Sequence, residues 1–230
     1  MKILAIESSS LVASAAVLED DIIKAEYVLN NKKTHSQTLL PMIDEVLRHS
    51  ETEASEVDAV AVSSGPGSFT GLRIGAATAK GIGMALNKPL IAVPTLDMTA
   101  YNLYKSPALI CPMMDARRNQ VYTGFYKNNN GFEVIKSAFA SDIRQVLEEL
   151  EALGEEVIFL GDGVPVYKAI IEENLACPHY YAPAHISRQR ASALACLAAA
   201  YYGAGKIIAA DKLELEYLRK SQAEREQENK

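Results

Sequence analysis

No apolar run in the 230-residue sequence approaches the ~18 residues that a membrane-spanning helix needs. The opening Met-Lys-Ile-Leu-Ala-Ile-Glu has too few apolar residues ahead of Glu7 for the core of a secretory signal. Cysteine is sparse: Cys111, Cys177 and Cys196 are an odd number with no C-x-x-C pair. That argues against a disulfide framework or a zinc site and for a reducing compartment. Positive charge is short as well. The 23 Lys+Arg against 29 Asp+Glu leave a formal net charge of −6, so nothing draws the chain generally to nucleic acid or anionic lipid. Histidine is limited to His35, His49, His179 and His185, none at the spacing of a metal site. His35, close to a helix start, reads as a cap or a solvent-facing side chain. The expectation is a soluble cytoplasmic protein with no membrane association and no metal of its own.

The remaining composition is that of an ordinary globular chain, 49% hydrophobic and 23% charged. A chain of this length buries roughly 70–75% of its unfolded surface and needs no covalent staples. Short apolar runs at 2–7, 13–18 and 22–29 predict an antiparallel meander. "THSQTLLPMIDEVLRHS" then places Leu39, Leu40, Ile43, Val46 and Leu47 at helical spacing. Thr34 or Ser36 could cap that helix, and Pro41 sits in its first turn or kinks it. A strand at 57–62, a helix, a strand at 88–93 and a short helix from Pro94 follow. The second half has a similar order, with strands at 108–114, 120–127, 132–137, 156–160 and 179–181. Its helices begin behind Ser141, at Val164 and at Ser187. The prediction is an α/β protein of two lobes, each a mixed sheet of βββαβα-type order. The first lobe spans 1–106 and the second 107–220, with a polar, disordered tail at 221–230.

"SSGPGSFTGLRIG", from Ser63 to Gly75, carries four glycines and a proline where a strand runs into a helix. Such a turn can hold a phosphate on its amides. Neither phosphate pattern is complete. A P-loop needs Gly-Lys-Ser/Thr at the helix start, and Leu72 follows Gly71. In G-x-G-x-x-G the third glycine position holds Thr70. Beyond the turn, Gly71, Gly75, Ala79 and Gly83 recur four apart, a stripe almost without side chains. Each helical glycine costs about 0.5–1 kcal/mol against alanine. Close approach of another backbone is the compensation, either this chain's own sheet or the helix of a partner.

"IESSS", "THSQTLLPMIDEVL", "SSGPGSFTGLRIGAATAKGIGMALNKPLIAVPTLDMTA" and "YLRKSQAE" together resemble the TsaB (YeaZ) family of bacteria. The resemblance implies the actin-like ATPase/sugar-kinase (ribonuclease H-like) fold. It also implies a part in adding threonylcarbamoyl to the adenosine beside the tRNA anticodon. The partners would be a TsaD-type catalytic subunit and a TsaE-type ATPase, with tRNA met indirectly. The catalytic relative carries His-x-x-x-His after the strand that ends near Val93. Here Thr95 and Thr99 stand at those positions, and Asp97 alone cannot hold a metal. A metallopeptidase reading loses its chemistry, and no catalytic residue is assigned. Leu39, Leu40, Ile43 and Leu47 with Gly71, Gly75, Ala79 and Gly83 are expected to form the partner surface, shared by a homodimer when the chain is alone. Glu7, Ser8, Ser9 and Ser10 occupy the place where actin-like ATPases hold metal and phosphate, a weaker candidate for a nucleotide or anion. Gly161-Asp162-Gly163 is a second phosphate loop or a plain turn, and Asp115-Ala116-Arg117-Arg118 resembles the family's "DAR" turn. No cofactor of the chain's own is expected, with ATP or ADP admitted at the complex interface. The competing class is a small-molecule phosphotransferase or ATPase using the cleft between the lobes.

Overall fold

The computed structural model describes residues 1–31 and 34–219, so the expected tail at 221–230 lies outside the described residues. Strands β1 (Lys2–Glu7), β2 (Val12–Glu19) and β3 (Ile22–Asn30) form the meander. The turn between β2 and β3 contains Asp20 at φ 52°, a conformation aspartate tolerates better than most residues. Strands β4 (Ala59–Gly65) and β5 (Leu90–Pro94) add in parallel beside β1. The resulting order is β3-β2-β1-β4-β5. Side-chain alternation divides the sheet. Leu4, Ile6, Val60 and Val62 face helices α1 (His35–His49) and α2 (Phe69–Leu86), whose Leu39, Ile43, Ala76 and Ala79 share their core. Ile3, Ala5, Ala59, Ala61, Ile91 and Val93 face the opposite way. Parallel strands buried on both faces read as unbroken apolar runs, as this stretch does. Ser68 caps α2 by accepting from the Gly71 amide, and Asn87 ends it at φ 53°.

The second sheet repeats the first. Strands β6 (Ser106–Asp115), β7 (Gln120–Asn128) and β8 (Phe132–Asp142) form a meander, and β9 (Val157–Leu160) and β10 (His179–Tyr181) add in parallel. The order β10-β9-β6-β7-β8 is the first sheet's order with each strand replaced by its counterpart. Helices α4 (Ile143–Leu153) and α5 (Val164–Asn174) cover its outer face through Ile143, Val146, Leu150, Tyr167 and Ile171. Asp142, one residue past Ser141, caps α4 by accepting from the Arg144 amide. Helix α3 (Thr95–Tyr101) lies between the sheets: Leu96 and Ala100 join the second core, Met98 the first.

The expected lobe boundary needs correction. Helix α6 (Ala191–Gly203) follows the second lobe in sequence, yet Ala191, Leu194, Ala195 and Ala198 pack on the inner face of the first sheet. Alanine lets this helix lie close to strands that themselves carry Ala5, Ala16, Ala59 and Ala61. After α6 the chain stays with the first lobe as a strap. Ile208 and Leu90 exchange both backbone hydrogen bonds at 2.9 Å, and Ala210 and Leu213 are buried in the core under α2. The first lobe is therefore built from 1–104 together with 191–219, because α6, with Met98 of α3, covers its inner face and the strap covers its β5 edge.

Candidate functional site

The glycine turn is approached closely, and what approaches it is this chain. Gly65 adopts φ 121°, and a Cβ there would collide with the carbonyl of Glu216 in the strap. The Glu216 amide in turn donates to the Ser64 carbonyl at 2.8 Å. A Cβ at Gly67 would meet the Ser9 carbonyl, and one at Gly71 the Ser8 carbonyl. At Gly75 the obstacle is Ser8 Oγ with Val62 behind it, and at Gly83 it is Leu90 at 2.8 Å and Ala210 at 3.1 Å. Ala79 is fully buried. The stripe of Gly71, Gly75, Ala79 and Gly83 is thus the inner face of α2, seated on this chain's first loop, sheet and strap. Assigning it to a partner is corrected: no second helix can reach it in the folded chain.

The cleft side of the same loop is closed. Ser8 Oγ donates to the Gly71 carbonyl at 2.9 Å, and the Ser68 amide donates to the Ser9 carbonyl at 2.7 Å. Both the amide and the hydroxyl of Ser9 donate to Glu7 Oε1. Ser10 Oγ reaches Gln189 Oε1 at 3.2 Å, and Gln189 Nε2 donates to Asp162 Oδ1 at 3.0 Å. His35, read from sequence as a cap or solvent-facing, bonds the Ser10 carbonyl through Nε2 at 2.6 Å. Glu7, Ser8, Ser9 and Ser10 are all buried. Their hydroxyls are spent inside the chain, and the carbonyls of Ser8 and Ser9 aim into the glycine turn, which is hostile to an anion. In this arrangement Ser8, Ser9 and Ser10 leave no hydroxyl free for the anion expected at Glu7–Ser10. Burial raises the carboxyls of both Glu7 and Asp162 above the usual carboxylate range, and each is further raised by a neighbouring acid. Among the described residues, Glu7 Oε2 and the Ser63 hydroxyl have no hydrogen-bond partner. They stand at neighbouring C-terminal ends of β1 and β4.

The positions where the catalytic relative's histidines would stand are occupied by structural contacts. Thr99 Oγ1 donates to the Thr95 carbonyl at 2.7 Å. Tyr126 Oη donates to Asp97 Oδ1 at 2.9 Å across the lobe boundary, and burial raises the Asp97 carboxyl. Among the described residues, no three His, Cys, Asp or Glu side chains stand close enough to hold one ion. Gly161-Asp162-Gly163 is a turn pressed on the Met113 carbonyl, with Arg188 donating to the Gly161 carbonyl at 2.8 Å.

What remains open is the outer face of α1 and α2. Leu39 and Ile43, expected at the interface, are core residues at 1% and 4% exposure, and Leu47 is half-buried against the same core. Leu40 alone of the four projects outward, at 59% exposure. On α2 the outward positions are Arg73, Ala77, Gly81 and Met84, with Met84 at 66% exposure and open space around Gly81. Sequence reasoning missed this second row. Its spacing of four, four and three is as helical as that of the glycine stripe, but only the buried stripe has glycines enough to announce itself. The lone glycine at Gly81 with Met84 beside it was the available signal.

The family model for TsaD, tRNA N6-adenosine threonylcarbamoyltransferase, matches residues 23–227. The chain is 35% identical over 200 residues to the tRNA threonylcarbamoyladenosine biosynthesis protein TsaB of Bacillus subtilis, covering 86% of each chain. The solved structure of YeaZ from Pseudomonas aeruginosa superposes with a TM-score of 0.80 at 26% identity, over 94% of this chain and 99% of that one. A polyphosphate/ATP-glucomannokinase from Arthrobacter superposes with a TM-score of 0.55 at 8% identity, over 86% of this chain and 98% of that one. That likeness shows the sugar-kinase type of two-lobe fold and nothing further. No helix among the described residues is long and apolar enough to cross a membrane.

Proposed function

Since the chain belongs to the TsaB (YeaZ) family, within reach of the TsaD family model, we propose that it is a non-catalytic partner subunit in the threonylcarbamoylation of tRNA adenosine. In this reading it docks a TsaD-type subunit through the outer faces of α1 and α2, and pairs with itself by the same faces when alone. The observation that carries the reading is the exposure of Leu40 on α1 and of Ala77, Gly81 and Met84 on α2. These residues combine two exposed large apolar side chains with two positions where a facing helix can come close. The closed loop at Glu7–Ser10 and the hydroxyls at Thr95 and Thr99 support a subunit that lends shape rather than chemistry. A TsaE-type ATPase and a nucleotide would then belong to the assembled complex.

Co-expression with the TsaD-type subunit of the same organism tests this. A stable complex is expected, and Leu40→Asp combined with Met84→Asp should abolish it while the variant keeps the parent's far-UV circular dichroism and a cooperative melt. Unaltered complex formation by that variant would refute the interface. Nucleotide turnover by the free chain that vanishes in Glu7→Ala would instead favour the phosphotransferase reading.

A further inference from the structure

One surface strip leaves the outward row of α2 at Arg73 and runs along the strap to the second lobe, away from Leu40 and Met84. It begins at the N-terminal turn of α2. The Arg73 guanidinium lies 3.8 Å over the Phe69 ring, and its Nε donates to Tyr217 Oη at 3.3 Å. Phe69 and Tyr217 are 4.9 Å apart between ring centroids, and Tyr217 is 39% exposed. Two residues further along the strap, Arg219 Nη1 donates to the Ala116 carbonyl at 3.0 Å. That carbonyl belongs to the turn between β6 and β7. There Arg117, Arg118 and Asn119 hold φ of 61°, 56° and 60°, a left-handed run without a glycine, and the Arg118 side chain is exposed. Four arginines therefore follow one line across both lobes in a chain whose net charge is −6. Two carboxylates accompany them. Asp115 accepts from Tyr167 Oη and the Arg117 amide, and Glu216 is exposed on the strap.

We propose that this strip, with Phe69, Arg73, Tyr217, Arg219 and Arg118 at its centre, is a direct contact surface for an unpaired segment of RNA. Single-stranded RNA is recognised by stacking unpaired bases on aromatic rings and guanidinium planes, with phosphates held by flanking cations. The Phe69–Tyr217–Arg73 cluster supplies the stacking platform, and Arg118 and Arg219 supply the cations along the direction in which the backbone would run. Four arginines gathered on one strip give an RNA a local attraction that the net charge of −6 does not supply. The inference rests on the proposed role in tRNA modification for its partner, and it replaces the indirect contact with tRNA expected from sequence by a direct one.

Binding of a labelled, unmodified tRNA transcript to the full chain alone tests it, by fluorescence anisotropy from 50 to 200 mM salt. Contact with about three phosphates makes binding weaken roughly ten-fold or more over that range. Arg118→Glu and Tyr217→Ala should each weaken binding at least five-fold at 50 mM salt. Tyr217→Phe, which keeps the ring, should bind as the parent does and guards against loss through a detached strap. Binding that is absent, or unchanged in Arg118→Glu and Tyr217→Ala with normal thermal melts, overturns the proposal. So does AMP or ATP competing as effectively as the transcript, since that identifies a mononucleotide site. Leu40→Asp with Met84→Asp should leave RNA binding intact. RNA binding that survives while no complex forms would sink the subunit reading alone, and a complex that forms without RNA binding by this strip would sink this inference alone.

Discussion

At Gly75 the inner face of α2 meets the Ser8 side chain too closely for even a methyl group. Gly75→Leu is therefore expected to destabilise the free chain by about 1–3 kcal/mol or more, through overpacking. A lowered melting temperature and a lowered denaturant midpoint would display it, and an unchanged melt would contradict the packing described here. Glu7 is the second residue with a readable cost. Its carboxyl titrates above the ordinary range because it is buried, so between the unfolded and folded values the folded state holds the extra proton. Stability contributed by this group is greatest at low pH and is lost as pH rises through the folded value. Glu7→Gln keeps an oxygen acceptor for Ser9 and removes the buried charge. The gap in melting temperature between Glu7→Gln and the parent should widen in favour of the variant as pH rises above the ordinary carboxylate range. A gap that stays constant with pH, or narrows, would show that Glu7 does not carry this burden.

At the scale of the element, α2 presents two faces with opposite requirements. Gly81 on the outer face has nothing within 4 Å. Gly81→Leu should leave the free chain as stable or more so, since leucine gains roughly 0.5–1 kcal/mol of helix propensity over glycine. The same variant should lose self-association and TsaD-type binding if a helix packs there, as sedimentation would report. Retained association would move the interface off this face. Most elements were legible in the sequence because their apolar periods are strong: β1 and β10 occupy the expected residues, and every helix lies within a few residues of expectation. Facing was not legible. Period alone places Gly71, Gly75 and Ala79 on one side of a cylinder, and which side meets the sheet depends on Ser8, a residue far away in sequence. Leu39 and Ile43 were read as interface for the same reason, since an apolar stripe looks alike whether it meets a sheet of its own or another molecule. The polar chain from Ser10 through Gln189 to Asp162 escaped altogether, because its members come from three separated segments.

For the molecule as a whole, the duplicated strand order could be read from the sequence, but the ownership of α6 and the strap could not. An alanine-rich helix has little facial asymmetry, so nothing in its own pattern says which sheet it serves. Leu213, buried at 4% exposure in the first core, gives a test. Leu213→Asp should lower stability by at least about 2 kcal/mol, because it removes an apolar contact and buries a charge. Hydrogen exchange should then rise at the β5 edge and along α2 before it rises in β6–β8. Exchange that rises first in the second sheet would mean the strap does not belong to the first lobe.

The return of α6 to the first sheet also bears on how the protein is made. A ribosome releases the five strands of that sheet early, yet the helix that covers their inner face begins only at Ala191. For most of synthesis, the nascent chain carries a sheet with one apolar face uncovered, the condition under which partly folded chains aggregate or recruit chaperones. The sheet that leaves the ribosome before the second lobe is thus finished only after that lobe has been made.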